Sequence, residues 1–177
     1  MPILGRTRIV LDCTEIRTET SRHYQQQGNL YSNYKSHATA KILISCAPSG
    51  AAMFVSDAFE GSISDKAIVE QSGVLDFIEP GDQVVVDRGF TIEEQVRQKG
   101  GQLVMPPFLG KRKEFSRDET IQTKLIARAR IHIERLNERI KNFKILAGVV
   151  PMNLVPLLSQ IVFVLTCLVN MQEPLCK

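Results

Sequence analysis

The chain has 177 residues, 44% hydrophobic and 23% charged, figures that exclude an intrinsically disordered polypeptide and suit a single soluble domain with a sizeable core. Its formal charge of +3 is unevenly spread: from Lys111 to Lys144 eleven Lys and Arg face five Asp and Glu, giving +6 there and about −3 elsewhere. A basic segment in an otherwise slightly acidic chain predicts a surface that faces a polyanion.

Arg8-Ile9-Val10-Leu11-Asp12 is an apolar run ending in a carboxylate, read as a central strand that starts almost at the first residue. Cys13 to Ser36 is polar and is expected to be a long connection, in which Arg22, Tyr24, Tyr31, Tyr34 and Lys35 offer groups able to stack on or contact nucleic acid. Lys41 to Ala47 and Ala51 to Ser56 flank Pro48-Ser49-Gly50 and predict a hairpin, to which the first strand adds in antiparallel sense. Ser62 or Ser64 caps a helix from about Asp65 to Phe77.

After the turn Glu79-Pro80-Gly81-Asp82, the run Gln83-Val84-Val85-Val86 predicts a short strand covered on both faces, ending at Asp87. Thr91 is the expected N-cap of a helix over residues 91–99, closed by Gly100-Gly101, and Gln102 to Met105 is one more strand, stopped by Pro106-Pro107. Beyond the basic loop Lys111-Arg112-Lys113, Ser116 opens a long helix to about Phe143. Ile121, Leu125, Ala129, Ile133, Leu136, Ile140 and Phe143 form its predicted core stripe. On the neighbouring stripe Ile126, Arg130, Glu134 and Glu138 follow four apart, which puts Glu134 at the edge of the buried face. Leu154 to Met171 is uncharged over 18 residues, the lower limit for a membrane span. Pro156, Ser159, Gln160, Thr166 and Asn170 interrupt it, so a helix covering a sheet is expected and no membrane partner.

Three strands, helix, strand, helix, strand, long helix and final helix is the order of an α/β, ribonuclease H-like fold. Its mixed five-stranded sheet has an antiparallel first half and a parallel second half, with helices on both faces. Ligands of open α/β sheets gather at the carboxyl ends of strands, where this order places Asp12 and Asp87. If their strands are neighbours the two carboxylates stand side by side, and the long helix can bring up Glu134.

Carboxylates without His or Cys suit a hard cation such as Mg²⁺ or Mn²⁺. Two such ions roughly 4 Å apart can activate a water or hydroxyl on one side of a phosphodiester and stabilise the leaving oxygen on the other. Without metal the three acids would repel one another and one would take up a proton. Singly, each has an ordinary structural use: Asp12 in a turn, Asp87 as a helix cap, Glu134 as a partner of Arg130 or Arg135. His132 and Glu134, two apart on a helix, point about 200° apart and cannot share one ion.

Four segments carry a family resemblance: Val10-Leu11-Asp12-Cys13-Thr14-Glu15-Ile16, Gly61-Ser62-Ile63-Ser64-Asp65-Lys66, Gly81-Asp82-Gln83-Val84-Val85-Val86-Asp87-Arg88-Gly89-Phe90 and Ala129-Arg130-Ile131-His132-Ile133-Glu134-Arg135. Together, over about residues 8 to 145, they resemble the DDE superfamily endonuclease domain of transposases, in the branch of Harbinger-type elements and their insertion-sequence relatives. The resemblance implies that Asp12, Asp87 and Glu134 are the catalytic, metal-ligating triad, with Asp65 an accessory ligand. Many relatives have His before that Asp; here Ser64 stands there. It also implies one or two Mg²⁺ or Mn²⁺ ions, and a DNA substrate whose phosphates Lys111, Arg112, Lys113, Arg130 and Arg135 help to hold.

The expected function is a divalent-metal-dependent DNA endonuclease or transposase catalytic domain that hydrolyses or transfers phosphodiesters. The alternative is a catalytically inactive remnant that binds DNA or a partner. Relatives usually carry a DNA-binding region before the first catalytic strand; this chain is expected to lack it and to work with a separate DNA-binding protein or a second copy. An Asp-based phosphatase would need a second acid after Asp12-Cys13, where Thr14 stands. The cysteines, Cys13, Cys46, Cys167 and Cys176, show no C-x-x-C spacing, so neither a zinc site nor a disulfide framework is expected. Met1 to Gly5 is too short an apolar stretch for a signal peptide. A reducing compartment follows, the nucleus in a eukaryote and otherwise the cytoplasm.

Overall fold

The computed structural model describes residues 7–20, 31–32, 37–107 and 116–175. Lys111, Arg112 and Lys113 lie outside the described residues, as do Arg22, Tyr24, Tyr34, Lys35, Cys176 and the side chain of Tyr31. The described strands are β1 (Thr7–Arg17), β2 (Tyr31–Ser32), β3 (His37–Cys46), β4 (Ala52–Val55), β5 (Phe59–Glu60), β6 (Gln83–Val85) and β7 (Gln102–Val104). The helices are α1 (Asp65–Gln71), α2 (Glu93–Gln98), α3 (Arg117–Lys141) and α4 (Leu158–Asn170).

Five strands lie side by side as β4-β3-β1-β6-β7, while the two-residue β2 and β5 also pair with β3. β1, β3 and β4 pair antiparallel, and β1, β6 and β7 pair parallel. This is the mixed α/β, ribonuclease H-like sheet. The β3–β4 hairpin turns through Pro48-Ser49-Gly50, where Gly50 has φ +88° and a side chain would run into Leu175.

Because side chains alternate along a strand, β1 feeds two cores. Ile9 and Leu11 join Val84, Val86, Ile68, Val69 and Val96 beneath α1 and α2. Val10 and Ile16 join Val85 and the buried stripes of α3 and α4 on the opposite face. The valine run of β6 is thus covered on both sides, as its lack of alternation predicted.

Local chemistry sets the helix ends, and several elements depart from the sequence reading. Ser64 caps α1 by accepting from the Ala67 amide. The helix predicted to reach Phe77 stops at Gln71, however, because Gly73 adopts φ +79° and the chain re-forms only as a 3-10 turn at Val74–Phe77. Thr91 does not cap α2: the N-cap is the fully buried Ile92, whose carbonyl accepts from Val96, with no side-chain cap bond. β3 begins at His37, four residues before the predicted start, and β1 runs on to Arg17, five residues into the stretch expected to be a connection, because Cys13 to Arg17 pair with Leu43 to Thr39 of the lengthened β3.

Ser116 and Glu119 close a reciprocal capping box at the start of α3. Its core stripe is Ile126, Ala129, Ile133, Leu136, Asn137 and Ile140. Ile126 replaces the predicted Leu125, and Ile121 is 46% exposed, since no residue of 117–125 is fully buried and packing begins only at Ile126. α4 buries Leu158, Val162, Leu165, Thr166 and Val169 and turns Phe163, Val164 and Leu168 to solvent. Among the described residues no helix is long and apolar enough to cross a membrane.

Truncation in the α3 stripe tests this packing. Ile133→Ala is expected to cost about 2–4 kcal/mol in chemical denaturation, and Phe163→Ser, on the exposed face of α4, no more than about 0.5 kcal/mol.

Candidate active site

Two features of β1 and β6 place the first two acids. The strands pair in parallel with Val10 opposite Val85, so two residues further on Asp12 and Asp87 come level. Val10 and Val85 both face α3, and with a two-residue period Asp12 and Asp87 face it too. Helix α3 crosses this face with Ile133 and Leu136 buried. Glu134 lies between those anchors, at the margin of the packed stripe.

Asp12, Asp65, Asp87 and Glu134 line one cavity of about 1070 Å³. The structure therefore brings together the four acids singled out in the sequence, from β1, the first turn of α1, the end of β6 and the middle of α3. Glu15 and Glu138 also line it, as do the basic groups His37, Lys41 and Lys141. Arg135, one residue round the helix from Glu134, is exposed and does not line the cavity.

Each acid has a definite partner. Arg88 donates its backbone N–H to Asp87 Oδ1 at 2.7 Å. Arg130 Nη2 donates to Asp87 Oδ2 at 3.0 Å and to Glu134 Oε1 at 3.4 Å. Lys41 Nζ donates to Asp65 Oδ1 at 3.2 Å and to the Ile63 carbonyl at 3.0 Å. Asn137 Nδ2 donates to Asp12 Oδ2 at 2.8 Å. Having turned its amide nitrogen to a carboxylate, Asn137 leaves its Oδ1 buried without a hydrogen-bond partner among the described residues.

Lys41 and Asn137 were not marked by sequence reasoning. Asn137 carried one visible signal, a polar side chain three residues after Glu134 within an apolar stripe. Lys41, at the edge of a predicted strand, carried none.

The electrostatics centre on Asp12. Burial raises its pKa from the ordinary 3.8 to about 6; Arg130 opposes the shift, while Asp87, Asp65 and Glu134 add to it. Burial also pushes the neighbouring Cys13 thiol up, with Asp65 adding to the effect, so it stays a protonated thiol. The lining is dominated by carboxylates, Asp12, Asp65, Asp87 and Glu134 with Glu15 and Glu138 beside them, the chemistry of a hard divalent cation that prefers oxygen. In the structure itself, among the described residues no group of three or more His, Cys, Asp or Glu side chains is arranged as ligands to one ion. The Arg130 guanidinium lies between two of the acids instead.

The sign of the Asp12 shift gives a stability test. A folded-state pKa above the unfolded one means that the native state favours protonated Asp12. That contribution is complete below about pH 4 and is lost as pH rises through about 6. Asp12→Asn, which can still accept from Asn137, is expected to stabilise the metal-free chain at pH 8 by about 2–3 kcal/mol, with the difference vanishing near pH 4. Urea denaturation of both proteins in a chelator at the two pH values measures it.

Comparison with protein families finds that residues 11–170 match the DDE superfamily endonuclease family. Comparisons with curated proteins and with solved structures returned no match. The family match runs from the middle of β1 to the end of α4 and includes all four acids of the cavity. The chain belongs to the DDE superfamily of endonucleases, the transposase-type nucleases.

Proposed function

We propose that the chain is the catalytic domain of a divalent-metal-dependent DNA endonuclease or transposase that hydrolyses or transfers phosphodiesters. Asp12, Asp87 and Glu134 are its catalytic metal-ligating residues and Asp65 an accessory ligand. One observation carries this reading: four acids distant in sequence line a single cavity at the carboxyl ends of two parallel strands, in a chain of the DDE superfamily. When bound, one or two Mg²⁺ or Mn²⁺ ions would polarise the phosphodiester and lower the pKa of an attacking water.

The protein's own groups supply the rest. Asn137 and the Arg88 amide each hold one oxygen of a strand-end carboxylate, Asp12 and Asp87 respectively, and fix its orientation. Lys41, largely enclosed between Asp65 and the Ile63 carbonyl, offsets the negative charge of Asp65. His37, Lys41 and Lys141 provide positive or donor groups in the cavity wall. With Arg130, Arg135 and the Lys111, Arg112 and Lys113 segment leading into α3, they would hold DNA phosphates without reading sequence. The natural setting of such a domain is alongside DNA, in the nucleus of a eukaryote or otherwise the cytoplasm, with a DNA-binding protein or a second copy supplying target recognition.

Cleavage of an end-labelled duplex in Mn²⁺ tests the proposal, with Glu134→Gln as the comparison. We expect metal-dependent nicking that drops by on the order of 100-fold or more in the variant, the scale of losing one charge-stabilising group in an active site. Salt-sensitive DNA binding with no cleavage in either protein would establish the inactive, DNA-binding remnant instead.

A further inference from the structure

Helix α3 presents Arg130, Glu134 and Asn137 to the strand ends, at i−4, i and i+3 of the same face. Asn137 meets Asp12 with an uncharged amide, whereas Arg130 meets the other two acids with a full positive charge. One nitrogen, Nη2, lies 3.0 Å from Asp87 and 3.4 Å from Glu134. Arg130 belongs to the helix that carries Glu134, so this cation is built into the site. Two carboxylates that share one guanidinium nitrogen are already balanced in part by a cation, and among the described residues no three of the acids are arranged as ligands to one ion.

The contact is built to be released. The Asp87 and Glu134 side chains are 46% and 56% exposed and that of Arg130 26%, so water competes for each ion pair and neither is strong. The arginine stem is long enough to swing its head group clear without moving the helix. A divalent ion balances two carboxylates with two charges, where the guanidinium offers one.

We propose that Arg130 is an exchangeable counter-cation of the acid cluster. In the metal-free protein it keeps Asp87 and Glu134 together, and it yields that place to a divalent cation. The displaced guanidinium is then free at the cavity for a phosphate oxygen. This inference rests on the metal-dependent reading of the site.

The test is Mn²⁺ binding to the full 177-residue chain, read from the electron paramagnetic resonance of free Mn²⁺, in wild type, Arg130→Gln, Arg130→Lys and Asp87→Asn. Thermal unfolding of each with and without Mn²⁺ gives a second readout. Removing the competitor is expected to tighten Mn²⁺ binding about three- to tenfold in Arg130→Gln, the scale of one or two exposed ion pairs. It should also enlarge the rise in Tm on adding Mn²⁺, with Arg130→Lys in between.

Equal or weaker binding by Arg130→Gln, while wild type binds and Asp87→Asn does not, overturns the exchange and leaves the metal reading standing. Absence of any Mn²⁺ binding sensitive to Asp87→Asn overturns the metal reading and the exchange with it. If Arg130→Gln does not fold, Arg130→Lys decides: Mn²⁺ binding tighter than that of wild type sustains the exchange, and equal or weaker binding overturns it.

Discussion

Everything about the site depends on the parallel register of β1 against β6. With Val10 opposite Val85, the carboxylates two residues further on are brought level and onto the same face of the sheet. A slip of one residue would send one acid into the opposite core, because side chains alternate with a period of two. That register is held by apolar side chains on both faces, Ile9 and Leu11 against Val84 and Val86 on one side, Val10 and Val85 on the other. The packing that stabilises the sheet is therefore the same packing that aligns the chemistry at its edge.

Alignment of like charges has an electrostatic cost, and the structure meets it unevenly. Asp87 and Asp65 each receive a cationic side chain, and Glu134 shares the one bound to Asp87. Asp12 receives a neutral amide instead and, by burial, has its pKa pushed to about 6. The cluster thus places no cationic side chain in hydrogen-bond contact with its buried carboxylate among the described residues, and a positive charge near a partly desolvated acid is worth more than in bulk water.

The parts legible in the sequence were those dictated by local pattern. Three valines in a row after a turn read as a strand covered twice, the three-and-four spacing of Ala129, Ile133, Leu136 and Ile140 read as a buried helical stripe, and both assignments carried an acid to the sheet edge. What escaped was decided by tertiary contact. The bond from Asn137 to Asp12 spans 125 residues of sequence and that from Lys41 to Asp65 spans 24, and no local periodicity encodes either. Helix boundaries failed where two signals competed. Thr91 is a good cap by propensity, but burial of Ile92 set the start of α2 one residue later, and a single glycine at φ +79° outweighed a continuing apolar pattern after α1. Leu125 and Ile126 are equally apolar, and only the sheet beneath α3 decides which of them is covered.

The unpaired carbonyl oxygen of Asn137 bears on how such a chain drifts once selection on it ends. A neutral residue at 12 removes a buried charge. With that charge gone, an apolar residue at 137 removes an acceptor that has no donor among the described residues, in the middle of a helix stripe otherwise made of Ile, Ala and Leu. The first step lowers the free energy of the fold above about pH 6, and the second does so where residue 12 no longer needs the amide's hydrogen. Thermodynamics alone would erase the site in that order, so a chain that still holds both Asp12 and Asn137 keeps them against the gradient of its own stability.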